Sequence, residues 1–313
     1  MRRAGIITVL ALLPATLLAN EVTRARYLMG TICEVSVPAT ARADEQVNAA
    51  FDEASRIEAM LSTWRETSEL SRVNAGAKPS TELRALLVTV LQQARETNGA
   101  FNPLIRPLID AWGTRGSVHV PTDDAKTSAR NATSLVNAVI TSDSIALTNG
   151  AAFEEGAFGK GYAIDRMLDV LREHGAASAL VDFGGQLGAF GETRDVSIAD
   201  PEQRKTAFAD LTLMNESIST SSGSEKTFVA NGKRVTHIID PRSGDALPPR
   251  GSVSVIHRSA LTADILSTAL YVMGPDAGLA WARQHGVTAI FITPDRALTS
   301  SAPGHGLTIR KKD

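Results

Sequence analysis

Three stretches of this sequence carry residue types that could do chemistry together. The first is Glu154-Glu155-Gly156-Ala157-Phe158-Gly159-Lys160-Gly161, which leads from a strand into a helix. Its glycines let backbone approach a ligand closely, the helix offers N–H groups to an anion, and Lys160 adds a point charge suited to a phosphate. It is not the Walker pattern, which needs Ser or Thr after Gly-Lys, and it is not a dinucleotide fingerprint, which counts against a nicotinamide dehydrogenase. The same residues also read as a turn that packs a helix on a strand.

The second stretch is Leu261-Thr262-Ala263-Asp264-Ile265-Leu266-Ser267-Thr268. On a helix, Asp264 and Thr268 are four apart and face the same way. A carboxylate with a hydroxyl suits Mg²⁺, which takes hard oxygen ligands and usually keeps waters and substrate phosphates in its shell. The competing reading is helix capping by Thr262 with Asp264 in the first turn. The third stretch, Thr236-His237-Ile238-Ile239-Asp240-Pro241-Arg242-Ser243-Gly244, places a histidine at a strand end, where it can act as a general base near neutral pH; turn chemistry alone also accounts for it. Ser219-Thr220-Ser221-Ser222-Gly223 offers hydroxyls for a polar pocket, or is a surface loop.

Apolar spacing predicts the elements that must position these groups. Residues 27–37 read as a strand. Val47, Phe51, Ala54, Ile57 and Leu61 recur at helical spacing, in a helix ending near Trp64. A second helix covers 81–97 and closes at Asn98-Gly99. Strands at 134–140 and 144–148 flank a turn, and a third helix follows Gly161 and stops at His174-Gly175. Short strands dominate 178–256, with Asn231-Gly232 as a hairpin turn. Helices at about 261–273 and 276–285 and a buried strand at 287–293 complete the chain. Helices and strands mix without a regular βαβ period, so the expected fold class is α+β.

The start of the chain, Met1-Arg2-Arg3 followed by a short apolar run to Ala19, reads as a secretory signal peptide over residues 1–19. The run is short for a membrane span and is interrupted by Pro14; an uncleaved anchor is the alternative. Residues 20–313 then suffice for one large domain or two intimately packed halves. The formal net charge of −2 gives no electrostatic footprint for nucleic acid. Cys33 is the only cysteine, so no intramolecular disulfide forms, and its apolar neighbours predict a buried, inert thiol.

In this order, Met29-Gly30-Thr31, Ser62-Thr63-Trp64-Arg65, Ser68 to Asn74, Gly99-Ala100-Phe101-Asn102-Pro103, Gly159 to Asp165, Gly184-Gly185, Ser222-Gly223, His237 to Pro241 and Ala263-Asp264 resemble the ApbE-type FAD:protein FMN transferases. The resemblance runs from Tyr27 to about Thr293. It implies an ApbE-like fold of two α/β halves with a flavin cleft between them. It also implies Mg²⁺ held by the Ala157 carbonyl, Asp264 and Thr268, with Ser267 where some members have a further ligand. FAD contacts carry over to Met29, Trp64, Ala100, Phe101, Asn102, Glu154, Lys160 and Ile238, and the histidine that activates the acceptor hydroxyl to His237. Asn102 and Glu154 stand where Asp is common, and Gln186 where an acid or Asn is common.

The implied reaction takes FMN from FAD to a threonine or serine of an acceptor protein, with release of AMP. Lys160, His237 and Asp264 carry the chemistry. An exported location implies envelope-facing acceptors such as membrane-bound redox subunits. The alternatives within the same resemblance are a metal-dependent FAD pyrophosphatase and an FAD-binding protein without turnover.

Overall fold

A computed structural model describes residues 21–224, 226–302 and 308–309; the expected signal peptide lies outside them. The first half of the chain contributes β1 (Glu21–Leu28), β2 (Thr31–Pro38), α1 (Ala43–Leu61), α2 (Glu69–Asn74), α3 (Thr81–Glu96), α4 (Arg106–Trp112), α5 (Asp123–Ala132), β3 (Ala138–Ile140) and β4 (Ile145–Leu147). Then come α6 (Gly159–Glu173), β5 (Ala179–Phe183), β6 (Gln186–Phe190), β7 (Arg194–Ala199), β8 (Ala207–Leu213), β9 (Ser217–Ser222), β10 (Thr227–Ala230) and β11 (Lys233–Thr236). The chain closes with β12 (Ser252–His257), α7 (Ala260–Met273), α8 (Pro275–Gln284), β13 (Thr288–Ile292), β14 (Leu298–Ser300) and β15 (Thr308–Ile309).

The backbone of the fold is an antiparallel eight-stranded sheet in the order β1-β2-β5-β6-β9-β12-β13-β14. Alternation along its strands decides what covers each face. On β12 and β13, Val253, Val255, Ala289 and Phe291 join the core under the helices. Their neighbours Ile256, Ile290 and Ile292 point the other way, into a second core with Val196, Ile198, Phe208 and Leu211 of the small sheet β15-β8-β7. The helix face carries α1, α6 and α7: α1 packs on α6, α6 on α7 and β6, and α7 on β9 and β12. A third core lies under α4 and α5, where Leu108, Trp112 and Ala129 meet Ala230, Ile239 and Ala246. Trp112 anchors this layer through a hydrogen bond from its indole N–H to the Gly244 carbonyl (2.8 Å).

The fold class is α+β, as the sequence predicts, with several boundaries moved. The single strand expected over 27–37 is a hairpin: β1 and β2 pair from Glu21↔Pro38 to Leu28↔Thr31, around a turn in which Met29 and Gly30 have φ of 46° and 78°. Both values suit a two-residue turn of the primed type, which follows the twist of the flanking strands. The strand expected from 134 starts instead with a 3₁₀ turn at Leu135–Asn137. Helix α1 ends at Leu61, before Trp64, and α6 begins at Gly159, before Gly161. The stretch Ser219 to Gly223, open between a polar pocket and a surface loop, falls up to Ser222 in the interior strand β9. The Asn231-Gly232 hairpin joins β10 to β11 as predicted, with φ of 49° and 73°.

Candidate active site at the start of helix α6

The glycines before α6 work through close approach. A Cβ on Gly161 would lie 2.4 Å from the Ala260 carbonyl oxygen and 2.8 Å from Cβ of Asp264, so no side chain fits there. The absent side chain lets the first turn of α6 lie against the first turn of α7. There the Gly161 N–H donates to the Asp264 carboxylate (3.0 Å), in place of a bond back to Ala157. Helix α7 is capped by Ser259, whose hydroxyl accepts from Thr262 N–H, so Thr262 is not the cap. Asp165, one turn further along α6, also accepts from the Ser259 hydroxyl (2.7 Å) and from the N–H groups of Ala260 (2.6 Å) and Leu261 (3.1 Å).

Strand alternation supplies the rest of this corner. Ser219 and Ser221 lie on β9 beneath α7, opposite Val255 and Val253 of β12. The Ser219 hydroxyl lies 3.4 Å from the Asp264 carboxylate and 3.3 Å from the Ser267 hydroxyl. Ser221 reaches Ser267 at 3.0 Å and Thr268 at 3.4 Å. One buried carboxylate (Asp264 is 6 % exposed) thus sits among four hydroxyls, beside a segment with the Ala157 carbonyl. All the donors are oxygens, the set a hard divalent cation such as Mg²⁺ prefers. Among the described residues no three or more His, Cys, Asp or Glu converge as a metal group. Any cation centre beside Asp264 therefore rests on hydroxyl and carbonyl oxygens around that carboxylate, since the Asp165 carboxylate is taken up by Ser259, Ala260 and Leu261.

Lys160 is partly exposed at the start of α6 and lies close enough to Asp182 to favour that carboxylate's charged form. Burial nonetheless holds Asp182 above the usual carboxyl range. A hydrogen bond from Gly185 N–H (2.7 Å) opposes the rise, and Glu34, its cross-strand partner on β2, adds to it. The Gly184-Gly185 turn is confined by Thr31, whose side chain a Cβ on Gly184 would meet at 2.7 Å. Gln186 is buried, and its amide donates to the Ala260 carbonyl at the same α6–α7 corner (3.0 Å). Met29 returns here from the first hairpin: its methyl is 3.2 Å from where a Cβ on Gly159 would be. A methionine at φ 46° is uncommon, and such backbone conformations concentrate at functional positions.

A second corner holds the acidic residues. Glu154 and Glu155 are both buried. The Thr63 hydroxyl lies 3.1 Å from Glu154 and 2.5 Å from Glu155, and Thr63 N–H donates to Glu155 (3.1 Å). Arg115, on the loop after α4, forms an ion pair with Glu154 and donates to the Thr63 carbonyl (3.1 Å) and hydroxyl. Arg106 approaches Glu154 at 3.8 Å. Burial and the neighbouring Glu155 push the Glu154 carboxyl up, against the pull of Arg115 and Thr63. Trp64 lies beneath the Arg115 guanidinium (4.4 Å to the ring centroid) and is still 67 % exposed. Glu154 N–H donates to the Pro103 carbonyl (2.8 Å), which ties this corner to the 100–103 segment. Ala100 and Phe101 have their side chains in the core, so only their backbone can face a ligand. The Asn102 amide bridges the Thr133 carbonyl (2.8 Å) and Leu104 N–H (2.9 Å), as a neutral side chain can do and an aspartate cannot.

His237 follows β11 and is partly exposed. Its N–H donates to the Lys226 carbonyl (3.1 Å), and its ring Nδ1 is 3.4 Å from the same oxygen. Ile238 is buried next to it, fixed by a bond from its N–H to the Thr236 hydroxyl (3.1 Å).

The model of the ApbE family matches residues 29–291, nearly all of the described chain. The chain belongs to the ApbE family. It is 34 % identical to an FAD:protein FMN transferase of Klebsiella pneumoniae over 79 % of this chain and 82 % of that one. It is 32 % identical to one of Treponema pallidum, over 90 % and 87 %. Among solved structures it superposes on the apo flavinyl transferase ApbE of Pseudomonas stutzeri with a TM-score of 0.80, at 26 % identity, covering 91 % of this chain and 96 % of that one. An ApbE protein of Thermotoga maritima shares the fold with a TM-score of 0.83 at 24 % identity, over 89 % and 96 %.

Sequence reasoning missed Asp165 as the clamp on α7, and Arg115, Thr63 and Glu155 as partners of Glu154. The capping role of Asp165 had no sequence signal, because its partners lie more than ninety positions away. Ser62-Thr63-Trp64-Arg65 belongs to the ApbE pattern, which put Thr63 within reach; Arg115, between α4 and α5, lies outside every quoted motif.

Proposed function

We propose that this protein is an FAD:protein FMN transferase, which moves FMN from FAD onto a threonine or serine hydroxyl of an acceptor protein and releases AMP. The observation that carries this reading is the oxygen-lined corner between α6 and α7, on a chain of the ApbE family whose relatives bear that name. The donors support Mg²⁺ as the cofactor, held by the Ala157 carbonyl, Asp264, Ser267 and Thr268. When bound, it supplies positive charge to a diphosphate.

The chain's own groups have distinct tasks. Lys160 and the N-terminal N–H groups of α6 attract the diphosphate and stabilise charge on it as the bond to AMP breaks. His237 takes the proton from the acceptor hydroxyl, whose oxygen bonds to the FMN phosphorus as the AMP phosphate leaves in line. Met29, Trp64, Glu154, Ile238 and the 100–102 backbone bind and orient FAD. The signal-like first residues support export to the periplasm or cell envelope, and with it membrane-bound redox subunits as acceptors.

The test mixes the protein with FAD, Mg²⁺ and an acceptor fragment and weighs the acceptor by mass spectrometry. A gain of one FMN, abolished by EDTA, is expected. Free AMP and FMN without a gain would point to a pyrophosphatase, and intact FAD across a panel of acceptors to a binding protein.

A further inference from the structure

Among the groups around Glu154, Arg115 is one to which the reaction above gives no part. Arg115 belongs to a loop, yet its side chain is mostly withdrawn from water (15 % exposed) between two buried carboxylates and an indole. Its nitrogens contact Glu154, the Thr63 hydroxyl and the Thr63 carbonyl, while the guanidinium plane lies over Trp64. A planar, delocalised cation can make both kinds of contact at once; an ammonium cannot. With one face of Trp64 against Arg115, the residue still exposes most of its surface, which leaves the opposite face open to a flat ring. Beside it, Glu154 is buried and its oxygens already accept from Arg115 and Thr63, so the carboxylate serves to fix the guanidinium.

We propose that Arg115 is a positioning residue for FAD: it locks the Trp64 indole and the Glu154 carboxylate into one rigid wall on which a planar ring of FAD stacks. This rests on Trp64 and Glu154 being FAD contacts, as in the function proposed above. Without Arg115 the indole, set on a loop after α1, loses its backing and the ring pays its ordering entropy on binding. Both the isoalloxazine and the adenine of FAD are flat rings with N–H donors, so the two halves of FAD serve as separate probes.

The experiment measures equilibrium binding of FAD, FMN and AMP to the wild type, Arg115→Met, Arg115→Lys, Trp64→Leu and the Arg115→Met/Trp64→Leu double variant, with thermal melts to check folding. Arg115→Met is expected to weaken FAD about tenfold, the scale of one stacked cation contact with its ion pair. It should weaken only one of FMN and AMP, and act less than about twofold in the Trp64→Leu background, since the wall is then already broken. Arg115→Lys keeps the charge without the plane and should fall between; it carries the test if Arg115→Met does not fold. Unchanged or tighter FAD binding, equal losses for FMN and AMP, or an undiminished effect in the Trp64→Leu background would each overturn the proposal. A wild type that binds FAD yet transfers no FMN to any acceptor would remove the transferase reading and leave this one standing. A transferring wild type with an Arg115→Met variant of unaltered affinity would do the reverse.

Discussion

The carboxylate of Asp264 is held by the backbone N–H of Gly161 at 3.0 Å, in a space where Gly161 has no room for a single methyl group. The candidate cation site and the helix-to-helix contact are therefore the same piece of structure. Gly161→Ala drives a Cβ into the Ala260 carbonyl and the Asp264 side chain, and overpacking of this kind destabilises by roughly 3 kcal/mol. Denaturant unfolding should show that loss, and Mg²⁺-dependent FMN transfer should fall with it even under conditions where the variant remains folded.

Asp264→Asn separates charge from shape. The amide oxygen can still accept from Gly161, so the variant should melt close to the wild type. The site loses the only carboxylate in its oxygen cluster, and transfer should drop by about a hundredfold or more. Acceptor mass spectrometry over a range of Mg²⁺ concentrations checks both halves of this expectation.

Asp182 predicts a pH effect. Burial, with Glu34 opposite, holds its carboxyl above the ordinary value in the folded protein. Between the unfolded value of about 3.9 and that raised value, the native state binds the proton more tightly. The group's contribution to stability is thus fully present below the unfolded value and is lost as pH rises through the raised one. Asp182→Asn stays neutral throughout, so the melting-temperature difference between wild type and variant should move against the wild type as pH rises through this window. Thermal melts of both proteins from pH 4 to 7 measure it.

Cys33 should be silent. Its thiol is fully buried, and burial, then Asp182 and Glu34, push it far above the ordinary thiol range. Alkylation by iodoacetamide at pH 8, followed by mass spectrometry, should label it only after unfolding.

Much of the positioning machinery was legible in the sequence. Helices α1, α3, α6 and α8 carry apolar residues at helical spacing, α7 is buried on nearly every side and was bounded by Gly274-Pro275, and Asn231-Gly232 announced its hairpin. The short helices were not legible for a physical reason: α2 and α4 have six and seven residues, less than the span over which a 3.6-residue period shows. Helix α5 (DDAKTSARNA) buries only Ala129 and Ala132, so it offers no apolar stripe. The first hairpin was hidden because methionine is not a residue that signals positive φ, and Met29 sits at 46°. In the site, Asp264 and Thr268 were visible from helical spacing, and Ser267 only from the family pattern. The serines of β9 gained a definite role only when the pleat placed Ser219 and Ser221 under α7. Arg115 was invisible because an ion pair between residues thirty-nine positions apart has no period to read.

The largest apolar core runs without interruption from α1 and α3 through α6 to α7 and the β12–β13 strands. A hinge needs a seam with few packed atoms across it, and this core offers none along its length. The corner of α6 and α7 that rests on this core is an anvil rather than a jaw: its oxygens are in place before any substrate arrives. For the transfer proposed above, the adaptation must come from the other side. An acceptor would have to offer its hydroxyl on a protruding or pliable stretch of chain, and acceptors that bury theirs in a rigid domain would be passed over.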